Sequence, residues 1–408
     1  MENFDFYSPT YFAFGKNKQA EVGKLAKKFG ASKVLIHYGG GSAVRSGLVD
    51  TIKNALREAG IAFIELGGVK PNPSSDLVYT GIELCKTNGV DFIVAVGGGS
   101  VIDSAKAIAA GTLYSGDFWD FFECKAGLSQ ALPLGVILTI SAAGSEGSSN
   151  TVISHQCGDT VFKRGTGSDV LRPKFAILNP ELTTTLPAYQ IACGGADIMA
   201  HLFERYFTLT SEVAVTDNLI EGLLKTLWHE LPRAVKDPDN YAAQANIMWA
   251  GMLAHNNVVG VGRTQDWASH AIEHELSAEY DVAHGAGLAV VFPAWMKYVL
   301  ETDVKRFYRL ATNVFGVAVS GSESGEVYER KVALAGIDKL KEFWRSLGLP
   351  VTFDQLGGKK EDIPYLAKHV LQNWSGAILQ TKAGREATIG SFKILREEDI
   401  LKIYELMM

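Results

Sequence analysis

Between Ala31 and Asn179 short apolar runs alternate with stretches of helical periodicity. Lys33–Tyr38, Ile61–Leu66, Phe92–Val96, Pro133–Ile140 and Phe175–Leu178 read as strands, and 48–59, 77–88 and 101–110 as the helices between them. Strands that are apolar throughout and spaced by helices indicate a parallel sheet covered on both faces. The aromatic alternation Tyr11-Phe12-Ala13-Phe14 predicts one more strand. Its exposed apolar side would call for cover, as by a partner subunit. Past Pro187 the pattern changes to long helical windows at 188–209, 212–231, 240–256, 264–276, 286–299, 303–316 and 325–346. The expectation is an α/β domain with a parallel sheet over residues 1–187, followed by an all-α domain over 188–408.

Bulk properties narrow the function more by exclusion than by suggestion. A chain of 408 residues is too long for a single core, and 47% hydrophobic with 21% charged residues is ordinary for a water-soluble globular protein. A net charge of −6 and a pI near 5.9 offer no basic surface to nucleic acid or anionic lipid. The longest apolar runs fall short of a membrane span, and Met1-Glu-Asn-Phe-Asp5 has neither the basic nor the apolar part of a signal peptide. Cys85, Cys124, Cys157 and Cys193 are scattered without C-x-x-C spacing, which suits a reduced cytoplasmic protein; Cys193 reads as a core residue.

Two glycine-rich turns carry the first candidate chemistry. Gly97-Gly98-Gly99-Ser100 stands between a buried strand and a helix, where bare backbone N–H groups and the helix N-terminus favour a phosphate. Together with the alternating elements, it makes the first half resemble a Rossmann-like dinucleotide-binding domain. Asp103 and Lys106 follow in the helix, the acid favouring the positive end of its dipole and the lysine expected to be solvated or at an interface. Gly39-Gly40-Gly41-Ser42 ends the first strand of this half, and no Asp or Glu occupies 37–42. A neutral loop with Arg45 nearby favours NADP(H) over NAD(H), since there is no carboxylate to read a free ribose hydroxyl. Thr139-Ile140-Ser141 and the residues through Glu146 offer hydroxyls and N–H groups to the same cofactor.

The second candidate is a metal site. Asp197 and His201 are four apart on a predicted helix, roughly 40° from each other around its axis. His270, His274 and His284 follow within a short stretch of a chain that has only nine histidines. Asp197, His201, His270 and His284 make an O,N,N,N donor set suited to Fe2+ or Zn2+.

With these motifs in order, the chain resembles the iron-dependent (group III) alcohol dehydrogenases over essentially its whole length. The resemblance includes Phe14-Gly15-Lys16, Asn179-Pro180-Glu181-Leu182, Gly195-x-Asp197-x-x-x-His201-x-x-Glu204, His284-Gly285 and Phe292-Pro293. Gln265-Asp266-Trp267-Ala268-x-His270-x-x-x-His274-Glu275-Leu276, with Tyr38-Gly-Gly-Gly-Ser42, is more like the butanol dehydrogenase and broad-range aldehyde reductase branch. The resemblance implies a dehydroquinate synthase-like fold, a metal in the cleft between the domains, and ligands at Asp197, His201, His270 and His284. It places the pyrophosphate at Gly97–Ser100, the 2′-phosphate of NADP-using relatives at Gly40 and Ser42, and a cofactor-side lysine at Lys163. Ala142-Ala143 replaces the family's glycine-threonine before Gly144-Ser145, which removes a hydroxyl contact, and Asn179-Pro180 replaces Asp-Pro.

The expected activity is hydride transfer between NAD(P)(H) and primary alcohols or aldehydes, by a homodimer acting on small molecules. The metal would act as Lewis acid and His274, facing the same way as His270, as proton relay. Phe118, Trp119, Phe121, Phe122 and Trp267 are candidates to line an apolar pocket. Glycerol dehydrogenase, maleylacetate reductase and, further off, dehydroquinate synthase-like lyase activities are the alternatives. A non-catalytic binding protein would have no need of four converging ligands.

Overall fold

The apolar runs become β1 (Tyr11–Phe14), β2 (Lys33–Gly39), β3 (Ala62–Val69), β4 (Phe92–Gly97), β5 (Leu134–Leu138) and, after the strands β6 (Asn150–Cys157) and β7 (Thr160–Gly167), β8 (Phe175–Leu178). In this computed structural model, which describes residues 1–320 and 324–408, six of them form one parallel sheet in the order β1-β8-β5-β4-β2-β3. All six residues of β4 and all five of β5 are buried, as expected for a sheet covered on both faces. The helices between the strands are α1 (Val22–Lys28), α2 (Ser42–Arg45), α3 (Leu48–Glu58), α4 (Ser75–Asn88), α5 (Gly99–Leu113) and α6 (Trp119–Phe122). Local chemistry sets their ends: Ser74 Oγ accepts the Asp76 N–H at 3.2 Å to start α4, and Gly89, at φ 63°, stops it.

The strand order reverses beside β2. From β2 the chain crosses to β3 on one side, then returns to β4 on the other. Ligands of open α/β sheets bind outside the strand C-termini at such a switch point. Tyr38 pairs with Val96 there, so the loops that begin at Gly39 and Gly97 leave the sheet side by side.

The antiparallel hairpin β6–β7 stands apart from that sheet and turns at Gly158, φ 59°. It was not expected from the sequence. In β6 Thr151 and Ile153 are buried while Asn150 and Val152 are not, the alternation of a half-buried strand.

The chain divides into two compact units, Tyr7–Leu186 and, with Met1–Phe6, Pro187–Met408. The sequence reading grouped residues 1–6 with the α/β half; here Glu2 N–H donates to Gly262 O at 2.9 Å and Thr264 Oγ1 to the Glu2 carboxylate at 2.9 Å. The helical unit comprises α7 (Ala188–Tyr206), α8 (Ala214–Lys236), α9 (Tyr241–His255), α10 (Ala268–Tyr280), α11 (His284–Val299), α12 (Val304–Asn313), α13 (Gly325–Ser346), α14 (Ile363–Asn373), α15 (Ser375–Lys382) and α16 (Glu397–Leu406). No helix among the described residues is long and apolar enough to cross a membrane.

Helix α7 is buried all round from Ile191 to Tyr206, so it is the axis of this unit. Two glycines let its neighbours approach. A Cβ on Gly195 would lie 2.1 Å from Leu231 of α8, and one on Gly285 would lie 1.9 Å from the Cys193 carbonyl oxygen. The second contact presses the first turn of α11, and with it His284, against the backbone of α7. Cys193 is buried, as expected.

Candidate active site

Asp197 and His201 lie on adjacent turns of α7, His270 in the first turn of α10, and His284 at the start of α11. The Asp197 Oδ1 atom has three imidazole nitrogens around it: His201 Nδ1 at 3.6 Å, His284 Nε2 at 3.8 Å and His270 Nε2 at 4.0 Å. Donors bonded to one cation at about 2.1 Å in a tetrahedron stand about 3.4 Å apart, close to this spacing. Asp197, His201 and His270 are all about 95% buried. A His201 ring nitrogen, Nδ1, is buried with no hydrogen-bond partner among the described residues. Burial, followed by the neighbouring His255, His270 and Arg205, holds the His201 pKa well below its usual value. The ring is therefore neutral, the form that ligates metal. An unsatisfied neutral nitrogen facing a carboxylate fits a divalent cation.

Carboxylates hold two of the rings from behind. Glu204, one helical turn beyond His201, accepts His270 Nδ1–H at 2.8 Å, the His270 backbone N–H at 3.0 Å and the Trp267 N–H at 2.8 Å. It thereby caps α10, whose own N-cap residue Trp267, at φ 77°, has no capping side chain. Burial pushes Glu204 up to about 7, against the pull of those N–H groups and of Arg205. Glu273 hydrogen-bonds His284 Nδ1 and is fully buried. Glu204 entered the sequence reading only as part of a motif and Glu273 not at all. Its signal was position, since it lies on the same short helix as two candidate histidines.

Donor atoms of Asp197, His201 and His270 lie within 4.8 Å of one another, while His284 and His274 both fall in a second group with Glu273, so His284 joins the first set only through its 3.8 Å approach to Asp197. The His274 ring centroid is 5.6 Å from that of His284 and 5.7 Å from Trp374. His255, which sequence reasoning passed over, packs its ring tilted against His201 with centroids 4.1 Å apart and takes a hydrogen bond from Arg205 at 3.1 Å. The five candidate pocket aromatics separate. Trp267 lies beside His201 and His270, while Phe118, Trp119 and Phe122 pack on one another, with Tyr79 against Phe118 and Tyr114 against Phe121. A cavity of about 430 Å3 in the helical unit is lined instead by Tyr189, Val282, Ala283, Leu349, Pro350 and Leu356, beginning next to His284 in the chain.

In the α/β unit the glycine loop is tight. A Cβ on Gly97 would meet Val101 at 2.4 Å, and one on Gly98 would meet Ile140 at 2.9 Å. Only glycine lets α5 start this close to β4 and to the strand end at Thr139–Ser141, and no side chain caps the N-terminus of α5. Gly99 and Ser100 are half-buried, Ser141 Oγ is buried without a hydrogen-bond partner among the described residues, and Lys163 is buried on β7. At the neighbouring strand end Gly40 and Ser42 are exposed, and the Arg45 guanidinium folds over Gly41.

Lys106 contradicts its expectation. It is neither solvated nor at an interface but fully buried, its Nζ sharing three protons among five oxygens of Ser145, Ser148 and Asn150 at 2.7–3.2 Å. Asp103, half-buried, accepts Ser145 Oγ–H at 2.6 Å and Val152 N–H at 2.9 Å. Burial brings Lys106 down to about 8, against the opposing pull of Asp103 and Glu146. These two residues tie the segment after β5, and the hairpin that follows it, to the helix that opens at the glycine loop.

A sheet with glycine loops at its switch point and a helical unit with an Asp/His donor set define a two-unit, metal-dependent nucleotide-linked oxidoreductase. The chain belongs to the iron-containing alcohol dehydrogenase family, which it matches over residues 9–180, with the family's C-terminal part matched over 191–407. It is 41% identical over 406 residues to the NADH-dependent butanol dehydrogenase A of Clostridium acetobutylicum, covering 99% of each chain. It is 35% identical over 371 residues to the NADPH-dependent aldehyde reductase YqhD of Escherichia coli, covering 90% of this chain and 92% of that one. The crystal structure of an NADH-dependent butanol dehydrogenase A from Thermotoga maritima superposes with a TM-score of 0.91 at 39% identity, covering 100% and 99% of the two chains.

Proposed function

We propose that this chain is a metal-dependent alcohol dehydrogenase and aldehyde reductase that interconverts primary, butanol-like alcohols and aldehydes with NAD(P)(H). The observation that carries the reading is the convergence of three imidazole nitrogens on Asp197 Oδ1 in a family whose members contain iron. Asp197, His201, His270 and His284 would hold the cation, and Gly97–Ser100, with Thr139, Ser141 and Lys163, the nucleotide. When bound, the cation supplies Lewis acidity to a carbonyl oxygen and the nicotinamide supplies hydride. Asp197 contributes the negative charge that keeps the centre from becoming fully dicationic, and its burial excludes competing water. His274, buried next to His284, would be the proton relay for the reacting oxygen. The cavity beside Ala283, where Leu349, Pro350 and Leu356 face Gln355, has apolar side chains for a short alkyl chain and a polar group for its oxygen end.

NADP(H) is the cofactor we assign, because Gly40 and Ser42 present no carboxylate and Arg45 adds a cation over Gly41. The opposite preference has support from the relatives near 40% identity, whose names give NADH. The exposed edge strand β1, with Tyr11 and Phe14 turned outward, is the surface for a second copy in a homodimer. The test is oxidation of NADPH and of NADH against an aldehyde panel, with metal analysis of the same sample. Metal-bound protein that reduces C3–C5 aldehydes is the expected result. Metal-free activity, or none on any aldehyde, would reject the reading.

A further inference from the structure

Four donor atoms make a cation site only when each ring turns the correct nitrogen inward. An imidazole has two nitrogens, and the hydrogen bond made by one decides which remains free to ligate. In this chain a separate carboxylate addresses each of two rings. Glu204 accepts His270 Nδ1–H at 2.8 Å, while His270 Nε2 lies 4.0 Å from Asp197 Oδ1. Glu273 accepts the Nδ1–H of His284, while His284 Nε2 lies 3.8 Å from the same oxygen. Both carboxylates have no exposed surface.

Their placement has been built, not left to chance. Glu204 also accepts the N–H groups of Trp267 and His270, so it cannot turn away without uncapping α10. Glu273 also takes the hydroxyl of Ser277, one helical turn further along α10. On the facing helix, a Cβ added to Gly287 would come 2.6 Å from Glu273 Oε1. The absence of that side chain admits the carboxylate between α10 and α11. A buried carboxylate whose only purpose was packing would be costly, since desolvation of an anion must be offset by specific partners.

We infer that Glu204 and Glu273 are positioning residues, which fix the Nδ1–H tautomer of His270 and His284 and so direct both Nε2 atoms at the cation. The inference rests on the ligand set proposed above. Each glutamate adds negative charge behind a ring and makes it a stronger donor. Neither touches the substrate.

The decisive measurement is Zn2+ affinity of chelator-stripped protein, read by competition with a chromophoric chelator, with no turnover involved. Glu273→Leu should weaken Zn2+ binding 10–100-fold, and Glu273→Gln about tenfold, because the amide oxygen still accepts Nδ1–H but brings no charge. The same Glu273→Gln change made in a His284→Ala background should cost nothing further. If Glu273→Leu disturbs the near-ultraviolet circular dichroism of the stripped protein, the isosteric Gln variant carries the test alone. Equal losses in both backgrounds, or no loss from Glu273→Gln while His284→Ala weakens binding, would overturn the positioning role and leave the ligand set standing. Unchanged affinity in His284→Ala would overturn the ligand set and this inference with it. Glu204→Gln against His270→Ala repeats the comparison for the other pair.

Discussion

In the α/β unit the candidate nucleotide loops are defined by what their residues lack, and in the helical unit the candidate metal centre is defined by what its residues carry. Gly97 and Gly98 have no room for a Cβ, so the end of β4 lies hard against Val101 of α5 and against Ile140 and presents backbone there. The helical unit uses the same device, at Gly195 and Gly285, only to bring elements together. Its chemistry resides in side chains from three helices, each ring held by a further buried group. A backbone site tolerates change around it, because many side chains leave N–H groups in place. A side-chain site fails when one donor is removed. The two units should therefore respond differently to single substitutions.

The largest difference is expected at a ligand. His270→Ala removes one of four donors and leaves Glu204 without its ring partner. Metal content should fall to a small fraction of wild type and kcat/KM by about 1,000-fold or more, while nucleotide binding by the α/β unit persists. Elemental analysis and fluorescence titration with NAD(P)H check both halves; full metal content would break the contrast at its root.

Next is His274→Ala. As a relay, His274 contributes to kcat, and its loss should cost about 100- to 10,000-fold with metal and nucleotide affinity near wild type. Its place beside His284 and Glu273 also allows it to support that ring. Support without relay would show as metal loss in step with the rate. A metal-replete variant with wild-type kcat across pH 6–9 would remove His274 from the mechanism.

Lys106→Met brings the comparison to the α/β unit, where one buried side chain does hold a backbone segment. The change strands the carbonyls of Ser145, Ser148 and Asn150 and leaves the half-buried Asp103 beside an apolar chain. Breaking a buried charge network of this kind costs about 3–5 kcal/mol. A lower Tm and weaker NAD(P)H binding with intact metal content is the expected outcome; unaltered Tm would mean the segment is held elsewhere.

How far each unit could be read from sequence follows the same division. The parallel strands were legible because burial on both faces makes them apolar throughout, and the histidines because three fall close together. The glycine loop was legible by its place between strand and helix. Lys106 was misread because long-range partners do not register in local pattern: its acceptors lie 39–44 residues away. The hairpin β6–β7 was missed because its strands alternate around polar residues and carry no continuous apolar run. Glu273 was passed over because position was its one signal, and an acid between two histidines of a helix looks the same whether it faces water or a ring. The order of the sheet, with its switch point between β2 and β4, follows from crossovers that no local window records.

The smallest and most selective effect is expected at Gly40. Its surroundings are open, with nothing within 4 Å of an added Cβ, and its φ lies outside the left-handed region. Gly40→Asp should therefore leave Tm and metal content unchanged, unlike any substitution at Gly97 or Gly98. What it adds is a carboxylate at the C-terminal end of β2, where a sheet of this kind reads the adenosine ribose. That charge would repel a 2′-phosphate and accept hydrogen bonds from a free 2′-hydroxyl, and it would draw on the Arg45 guanidinium that folds over Gly41. The ratio of kcat/KM for NADH to that for NADPH should rise about tenfold, equivalent to 1.4 kcal/mol. Arg45→Ala should move the ratio in the same direction by a smaller factor, because it removes a cation without adding repulsion. If neither variant moves the ratio, the loop at 40–42 does not contact the ribose, and the NADP(H) assignment loses the argument on which it stands.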